Sequence, residues 1–202
     1  MKLYSNPASP FARKVRVVAH ELALKFDEEI NVDARNDETL RKVNPLKKIP
    51  VLVLADGSTL FDSMVICEYL NELGGGRFFP GKNIFRQHTG GWKALTLASL
   101  ADGIMDAAVA CRYESIEPPE RRNEANIERY LKTVSAGLDT LDRLNFNEKI
   151  TIGEITAGCA LGYVDFRYSD LNWRATRPKL AAWFEKFAQF DSMKATAPRA
   201  LP

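Results

Sequence analysis

Three consecutive glycines, Gly74-Gly75-Gly76, mark a change of hydrophobic period along this chain, and that change limits what it can fold into. Before them, strand-like and helix-like segments alternate. After them, only helical spacing recurs. The glycines read as a helix terminus, because the residues past a C-cap favour a left-handed backbone that glycine adopts freely.

Lys2-Leu3-Tyr4 reads as a short strand followed by the turn cluster Ser5-Asn6-Pro7-Ala8. Ser9-Pro10 opens a helix, with serine suited to the N-cap and proline to the first helical position. Phe11, Val15, Val18 and Leu22 continue it at helical spacing. Glu28-Glu29-Ile30-Asn31-Val32 alternates like a strand. Pro50-Val51-Leu52-Val53-Leu54 is another, followed by the turn Asp56-Gly57-Ser58 and the short strand Thr59-Leu60-Phe61. Asp62-Ser63 caps a helix carrying Val65, Ile66, Tyr69, Leu70 and Leu73. This order, βαβ and then ββα, predicts a small mixed sheet covered by helices.

Residues 78–87 read as a linker around Pro80-Gly81, separating a domain of residues 1–77 from an all-helical domain of residues 88–202. In the second, Ile127, Leu131, Val134, Leu138 and Leu141 form one apolar stripe on a charged helix. Ile150 to Ile155 carries a complete helix start: Thr151 caps, Glu154 reaches back, and Ile150 staples to Ile155. Pro178-Lys179-Leu180 begins a last amphipathic helix with Trp183, Phe184 and Phe187. The fold class expected is therefore α/β followed by all-α.

Charge and cysteine usage narrow the function. Lys and Arg total 28 against 26 Asp and Glu, which leaves no electrostatic footprint for nucleic acid or an anionic membrane. No apolar run is read as approaching the ~20 residues that span a bilayer, and the first residues carry none of signal-peptide length, so the expected location is cytoplasmic. Cys67, Cys111 and Cys159 are far apart and odd in number, so neither a disulfide framework nor a metal site is expected. Cys67 reads as packed. His20 and His88 are isolated and read as structural. Arg13, Lys14 and Arg16 read as a solvated helix face.

Three local features carry chemistry. Ser9-Pro10-Phe11 sits at a strand–turn–helix junction, where a hydroxyl, free N–H groups and the positive end of a helix dipole favour an anion such as a thiolate. Lys48-Ile49-Pro50 precedes a strand, and a cis X-Pro bond there would expose the Ile49 backbone to a peptide ligand. Asp62-Ser63 begins a helix whose free N–H groups suit a carboxylate, while Asp62 accepts from an ammonium group. Taken singly, each has an ordinary reading: Ser9 and Asp62 as plain caps, Pro50 as the start of a strand.

Together, in this order and spacing, SPFARKVR, NPLKKIPVL, LFDSMVICEYL and TIGEITAGCAL resemble the cytosolic glutathione S-transferase superfamily, of the serine type found in bacterial members, over nearly the whole chain. The resemblance implies a thioredoxin-like N-terminal domain that binds glutathione, a C-terminal helical bundle that supplies an electrophile pocket, and a homodimer. It implies that Ser9 contacts the glutathione sulfur, with Pro10 and Phe11 beside it. Ile49 before Pro50 would pair with the cysteinyl backbone, Lys48 would lie by the glycyl end, and Asp62 and Ser63 would hold the γ-glutamyl group. Asp62 stands where Glu or Gln is commoner and is one methylene shorter; Glu154 stands where Asp is commoner.

The electrophile is expected between Phe11 and the first C-terminal helix, near Met105, Asp106, Val109 and Tyr113, with Asp102 reaching a partner's glutathione amine. Tyr4 reads as structural or pocket-lining, and Ser5 as a weaker hydroxyl candidate. The reaction expected is conjugation of the glutathione thiolate to a hydrophobic electrophile, glutathione being the co-substrate. The alternatives are a non-catalytic relative acting through protein contacts, or a glutathione-dependent reductase or isomerase, whose disulfide exchange wants a cysteine at the Ser9 position.

Overall fold

The computed structural model describes residues 1–81, 90–146 and 149–200. Its N-terminal part is a four-stranded sheet in the order β2-β1-β3-β4, built from β1 (Lys2–Ser5), β2 (Glu28–Asn31), β3 (Val51–Val53) and β4 (Thr59–Leu60). β1 runs parallel to β2 across helix α1 (Pro10–Glu21) and antiparallel to β3, which pairs antiparallel with β4. Helix α2 (Ser63–Leu73) follows β4. The sheet is the thioredoxin-like one expected. β1 runs one residue past its expected end, to Ser5, while β2, β3 and β4 stop one residue short of theirs: Val32 still donates to the Ser5 carbonyl but lies past β2, and Leu54 leaves β3 to close the turn on Ser58. Gly57, at φ +85°, supplies the left-handed residue that this turn needs.

Leu3 and Leu52 point from one face of the sheet toward Val15 and Val18 of α1 and toward Ile66, Cys67 and Leu70 of α2, all buried. The other face carries a smaller cluster of Val32, Leu40 and Val51, with Tyr4 and Ile49 packed against it.

Among the described residues no strand follows Leu60. Helices α3 (Gly91–Ser115), α4 (Glu124–Arg143) and α5 (Ile152–Arg167) form the centre of the C-terminal part, and α6 (Trp173–Thr176), α7 (Pro178–Phe187) and α8 (Asp191–Ala195) complete it. On α4 the expected stripe is buried at Val134, Leu138 and Leu141 and half-buried at Ile127 and Leu131. On α7, Phe184 and Phe187 are buried, while Trp183 stacks on Phe146 with ring centroids 3.8 Å apart.

The start of α5 is built as the sequence predicts. Thr151 N–H donates to Glu154 Oε2 at 2.9 Å, and the Thr151 hydroxyl accepts from Gly153 N–H at 3.1 Å. Ile150 and Ile155 belong to one hydrophobic cluster. Every residue from Ile152 to Val164 is buried, so α5 is the axis around which the helical part packs. Gly153 permits this closeness: a Cβ there would lie 2.8 Å from the Ala94 carbonyl oxygen of α3.

The two parts are joined more tightly than a linker implies. Phe78 and Phe79, inside the expected linker, are buried. Phe78 N–H donates to Asn71 Oδ1 at 2.6 Å, and its carbonyl accepts from Ile152 N–H at 2.9 Å. Residues 82–87 of that expected linker lie outside the described residues, as do residues 88 and 89 of the expected helical domain.

Two readings need correction. The basic cluster on α1 is not a solvated face, because α1 packs against α2 on one side and α5 and α8 on the other. Arg13 is 4% exposed and Lys14 fully buried. Arg13 donates to the Met193 carbonyl at 3.0 Å, and a Cβ on Gly162 would lie 2.0 Å from its Nη1. Burial holds the Arg13 guanidinium below its ordinary pKa. Second, α3 is long and apolar enough to cross a membrane by length and composition, with mean hydropathy 1.5 over its best window. The apolar run was missed because it is rich in alanine rather than in bulky residues. Here α3 packs against α4 and α5, burying Ala94, Ala98, Ala101, Ile104, Met105, Ala108 and Cys111.

Candidate functional site

The N-terminal wall of the site is made of helix starts and turns. The Asn6 side chain donates to the Val32 carbonyl at 3.0 Å and accepts from Ala8 N–H at 2.9 Å, fixing the turn after β1. That turn delivers Ser9 to the start of α1. Ser9 Oγ accepts from Ala12 N–H at 3.2 Å, so it is a true N-cap. The cap uses an oxygen lone pair and leaves the hydroxyl proton free to donate.

The second element is the turn before β3. Asn44, buried, donates from Nδ2 to the Lys48 carbonyl at 2.9 Å and accepts from Leu46 N–H at 3.0 Å. The Ile49–Pro50 peptide bond is cis, as expected. The third is the start of α2, where Asp62 Oδ1 accepts from Met64 N–H at 2.9 Å. Ser63, 4% exposed, makes no side-chain hydrogen bond among the described residues. Asp62 thus caps through Oδ1, which leaves its other oxygen outside the cap.

These elements line one open cleft of about 960 Å³. Ser9, Pro10, Phe11, Lys48, Ile49, Pro50, Asp62 and Ser63 all contribute to it. Facing them, α3 presents Asp102, Asp106, Val109, Arg112 and Tyr113, with Ile116 just past its end, and α5 presents Tyr163 and Arg167. The spacing along α3 follows the 3.6-residue period that keeps side chains on one face.

Of the expected pocket residues, Met105 does not line the cleft. It points away into the core and is fully buried, while Asp106 and Val109 face the cavity. Ser5 is excluded as a hydroxyl candidate, since it is buried and donates to Glu29 Oε1 at 2.6 Å. Tyr4 packs in the sheet-side cluster. Asp102 lines the cleft, but both its oxygens lie on Lys14 Nζ, at 2.7 and 2.9 Å. Burial raises the Asp102 and Asp106 carboxyls above their ordinary values, and Lys14 and Lys48 pull the other way.

The sequence reading missed Asn44, Arg112, Tyr163 and Arg167. The available signal for the last two was their i,i+4 spacing on the helix that the capping box begins. Cys67, Cys111 and Cys159 are buried, and none lines the cleft. Burial pushes the Cys67 thiol up to about 12.

Comparison with known proteins agrees with this architecture. The family description "Glutathione S-transferase, N-terminal domain" matches residues 8–73, and "Glutathione S-transferase, C-terminal domain" matches residues 122–186. The Escherichia coli (strain K12) protein described as uncharacterized GST-like protein YibF is 29% identical over 203 residues, covering 98% of each chain. A glutathione transferase family member from Pseudomonas fluorescens Pf-5, solved with bound S-(propanoic acid)-glutathione, is 38% identical with a TM-score of 0.87, covering 99% of this chain and 100% of that one. A glutathione S-transferase from Methylobacillus flagellatus with glutathione bound is 36% identical with a TM-score of 0.88, covering 98% and 99%.

Proposed function

The chain belongs to the glutathione S-transferase family, and from that premise we propose that it binds glutathione along Ser9, Ile49–Pro50 and Asp62–Ser63 and joins the thiolate to an electrophile held against α3 and α5. The observation that carries this reading is the convergence of three separate backbone termini on one wall of a single cleft, opposite a wall of helical side chains. Each terminus offers what one part of the tripeptide needs: a hydroxyl and a helix dipole for sulfur, main chain at a cis-proline for the cysteinyl unit, and a carboxylate beside a helix N-terminus for the γ-glutamyl end.

A free thiol has a pKa of about 8.5 and is mostly protonated at neutral pH. In this reading the Ser9 hydroxyl donates to the sulfur, and the start of α1 adds to the same field, so the bound thiol ionises at lower pH. The cap geometry supports that role, because Ser9 accepts from Ala12 N–H and keeps its own proton to give. Attack on the electrophile is then helped by proximity across the cleft. The ligand of the Pseudomonas fluorescens relative is a sulfur-alkylated glutathione, which supports a thioether product for this chain.

Disulfide exchange is disfavoured, since none of the buried cysteines lines the cleft. A homodimer and a cytoplasmic location belong to the same proposal. Asp102, already on Lys14, would have to share its carboxylate with a partner's ligand, and sedimentation at micromolar concentration tests the second copy. Retention on immobilised glutathione separates this reading from a purely structural relative.

The test of Ser9 is the thiolate absorbance of bound glutathione against pH, for the parent and Ser9→Ala. The expected result is a titration displaced to higher pH in the variant, with a conjugation rate that falls at neutral pH and converges with the parent at high pH. Superimposable titrations would leave Ser9 as a cap alone.

A further inference from the structure

Resting on the reading above, we propose that the helical wall of the cleft ends in a carboxylate subsite made by Arg112 of α3 and Arg167 of α5, so that the electrophile is an anionic molecule rather than a plain hydrophobic one. Arg112 and Arg167 both line the cleft, with Tyr163 beside Arg167, whose guanidinium carbon lies 4.1 Å from the Phe166 ring centroid. Among the described residues neither has an ion-pair partner. Arg167 Nε is buried with no acceptor, and a buried unpaired donor is costly unless a ligand supplies the missing oxygen.

The carboxylates near this end of the cleft are already committed elsewhere. Asp165 is held by Arg174 through two bonds of 2.6 Å. Glu117 pairs with Arg35, and Glu114 accepts from Asn123 N–H at 2.7 Å. Asp102 lies on Lys14, and Asp106 lies six residues before Arg112, roughly 9 Å along the helix axis. On the opposite wall Arg35 is paired with Glu117 and Arg41 and Lys47 with Glu38, which leaves Lys48 as the lining cation there without an ion-pair partner among the described residues. A planar guanidinium fork suits a carboxylate through paired N–H donors. Val109, Tyr113 and Ile116 supply an apolar path between sulfur and charge. The acceptor that fits is a short carbon skeleton with an electrophilic carbon at one end and a carboxylate at the other. The thiolate forms the S–C bond at that carbon. That carbon is the β position of an α,β-unsaturated acid: as the S–C bond forms, the double-bond pair moves to the α carbon, which takes a proton from water.

The test uses product-like ligands, so it does not depend on any substrate reacting. Affinities are measured by calorimetry for S-(2-carboxyethyl)glutathione against S-propylglutathione, and for S-(4-carboxybutyl)glutathione against S-pentylglutathione. The parent is expected to favour the carboxylate of at least one pair by about tenfold or more. Arg112→Leu and Arg167→Leu should each remove most of that preference while leaving S-propylglutathione and glutathione binding unchanged, and Arg167→Lys should restore part of it. Equal affinities within both pairs would overturn the subsite. So would losses in the variants that strike acid and alkyl ligands alike. Failure of glutathione and all four conjugates to bind would instead overturn the glutathione reading itself.

Discussion

The two walls of the cleft are made from different materials. The N-terminal wall is shaped by backbone turns and caps: a capped helix start at Ser9, a cis-proline turn at Ile49–Pro50, and a second capped helix start at Asp62. The C-terminal wall is mostly side chain, carried on the regular faces of α3 and α5. A backbone wall holds its shape whichever residues pass selection nearby, so it suits an invariant ligand such as glutathione. A side-chain wall can be rewritten at Asp106, Arg112, Tyr113, Tyr163 or Arg167 without touching the helices beneath, so it suits the variable partner. Binding and specificity are thus separated across one cavity.

The sharpest way to break this comparison is at the seam where the walls meet. Lys14 of α1 is fully buried and its Nζ sits on Asp102 of α3. Asp102→Ala leaves that ammonium without a partner; removal of one member of a buried pair costs about 3–5 kcal/mol, and the 20% exposure of the Asp102 side chain puts the loss toward the lower end. Urea unfolding should show a loss of that order. An unchanged midpoint would mean that this ion pair adds nothing to the joining of the halves.

A smaller effect sharpens the division of labour. Asp62→Asn keeps an oxygen for the cap on Met64 and removes the charge offered to an ammonium group. Loss of a charge-assisted bond is worth ~1.5–3 kcal/mol, so glutathione affinity should fall roughly tenfold or more with stability retained. Undiminished affinity by calorimetry would place the γ-glutamyl group on the helical wall.

The smallest effect is expected at the cysteines. Burial holds the Cys67 thiol near 12 and also raises Cys159. Each is therefore protonated at pH 8 and shielded as well. A chromogenic disulfide reagent should titrate none of the three thiols in the native protein and all three in denaturant. Rapid native labelling of one would reopen disulfide exchange as the chemistry.

The same division explains what was legible in the sequence. Ser9-Pro10, Lys48-Ile49-Pro50 and Asp62-Ser63 announce themselves because turns and caps demand particular residues at particular places. The α5 start was legible for the same reason, down to the pairing of Thr151 with Glu154. Met105 was misplaced because a helix turns by about 100° per residue: its neighbour Asp106 faces the cleft while Met105 faces the core. Arg112 and Arg167 were passed over because their sharing of one cleft depends on how α3 packs on α5, which no local spacing specifies. Arg13 and Lys14 were read as solvated because a cationic run normally is; the docking of the helical half onto α1, through α3, α5 and α8, buries them.

The fit of Arg13 against Gly162 has a consequence for how such chains can be recombined. Arg13 lies in one half, and the bare backbone that admits its guanidinium lies in the other. A chimera that joins this N-terminal half to the helical half of a relative carries a steric condition at a single pair of positions. An alanine facing Arg13 would evict the guanidinium, and a shorter residue facing Gly162 would leave a void. Domain shuffling in such proteins is therefore not free at the boundary, however well each half folds. In libraries of shuffled halves, the letters at positions 13 and 162 should be inherited together.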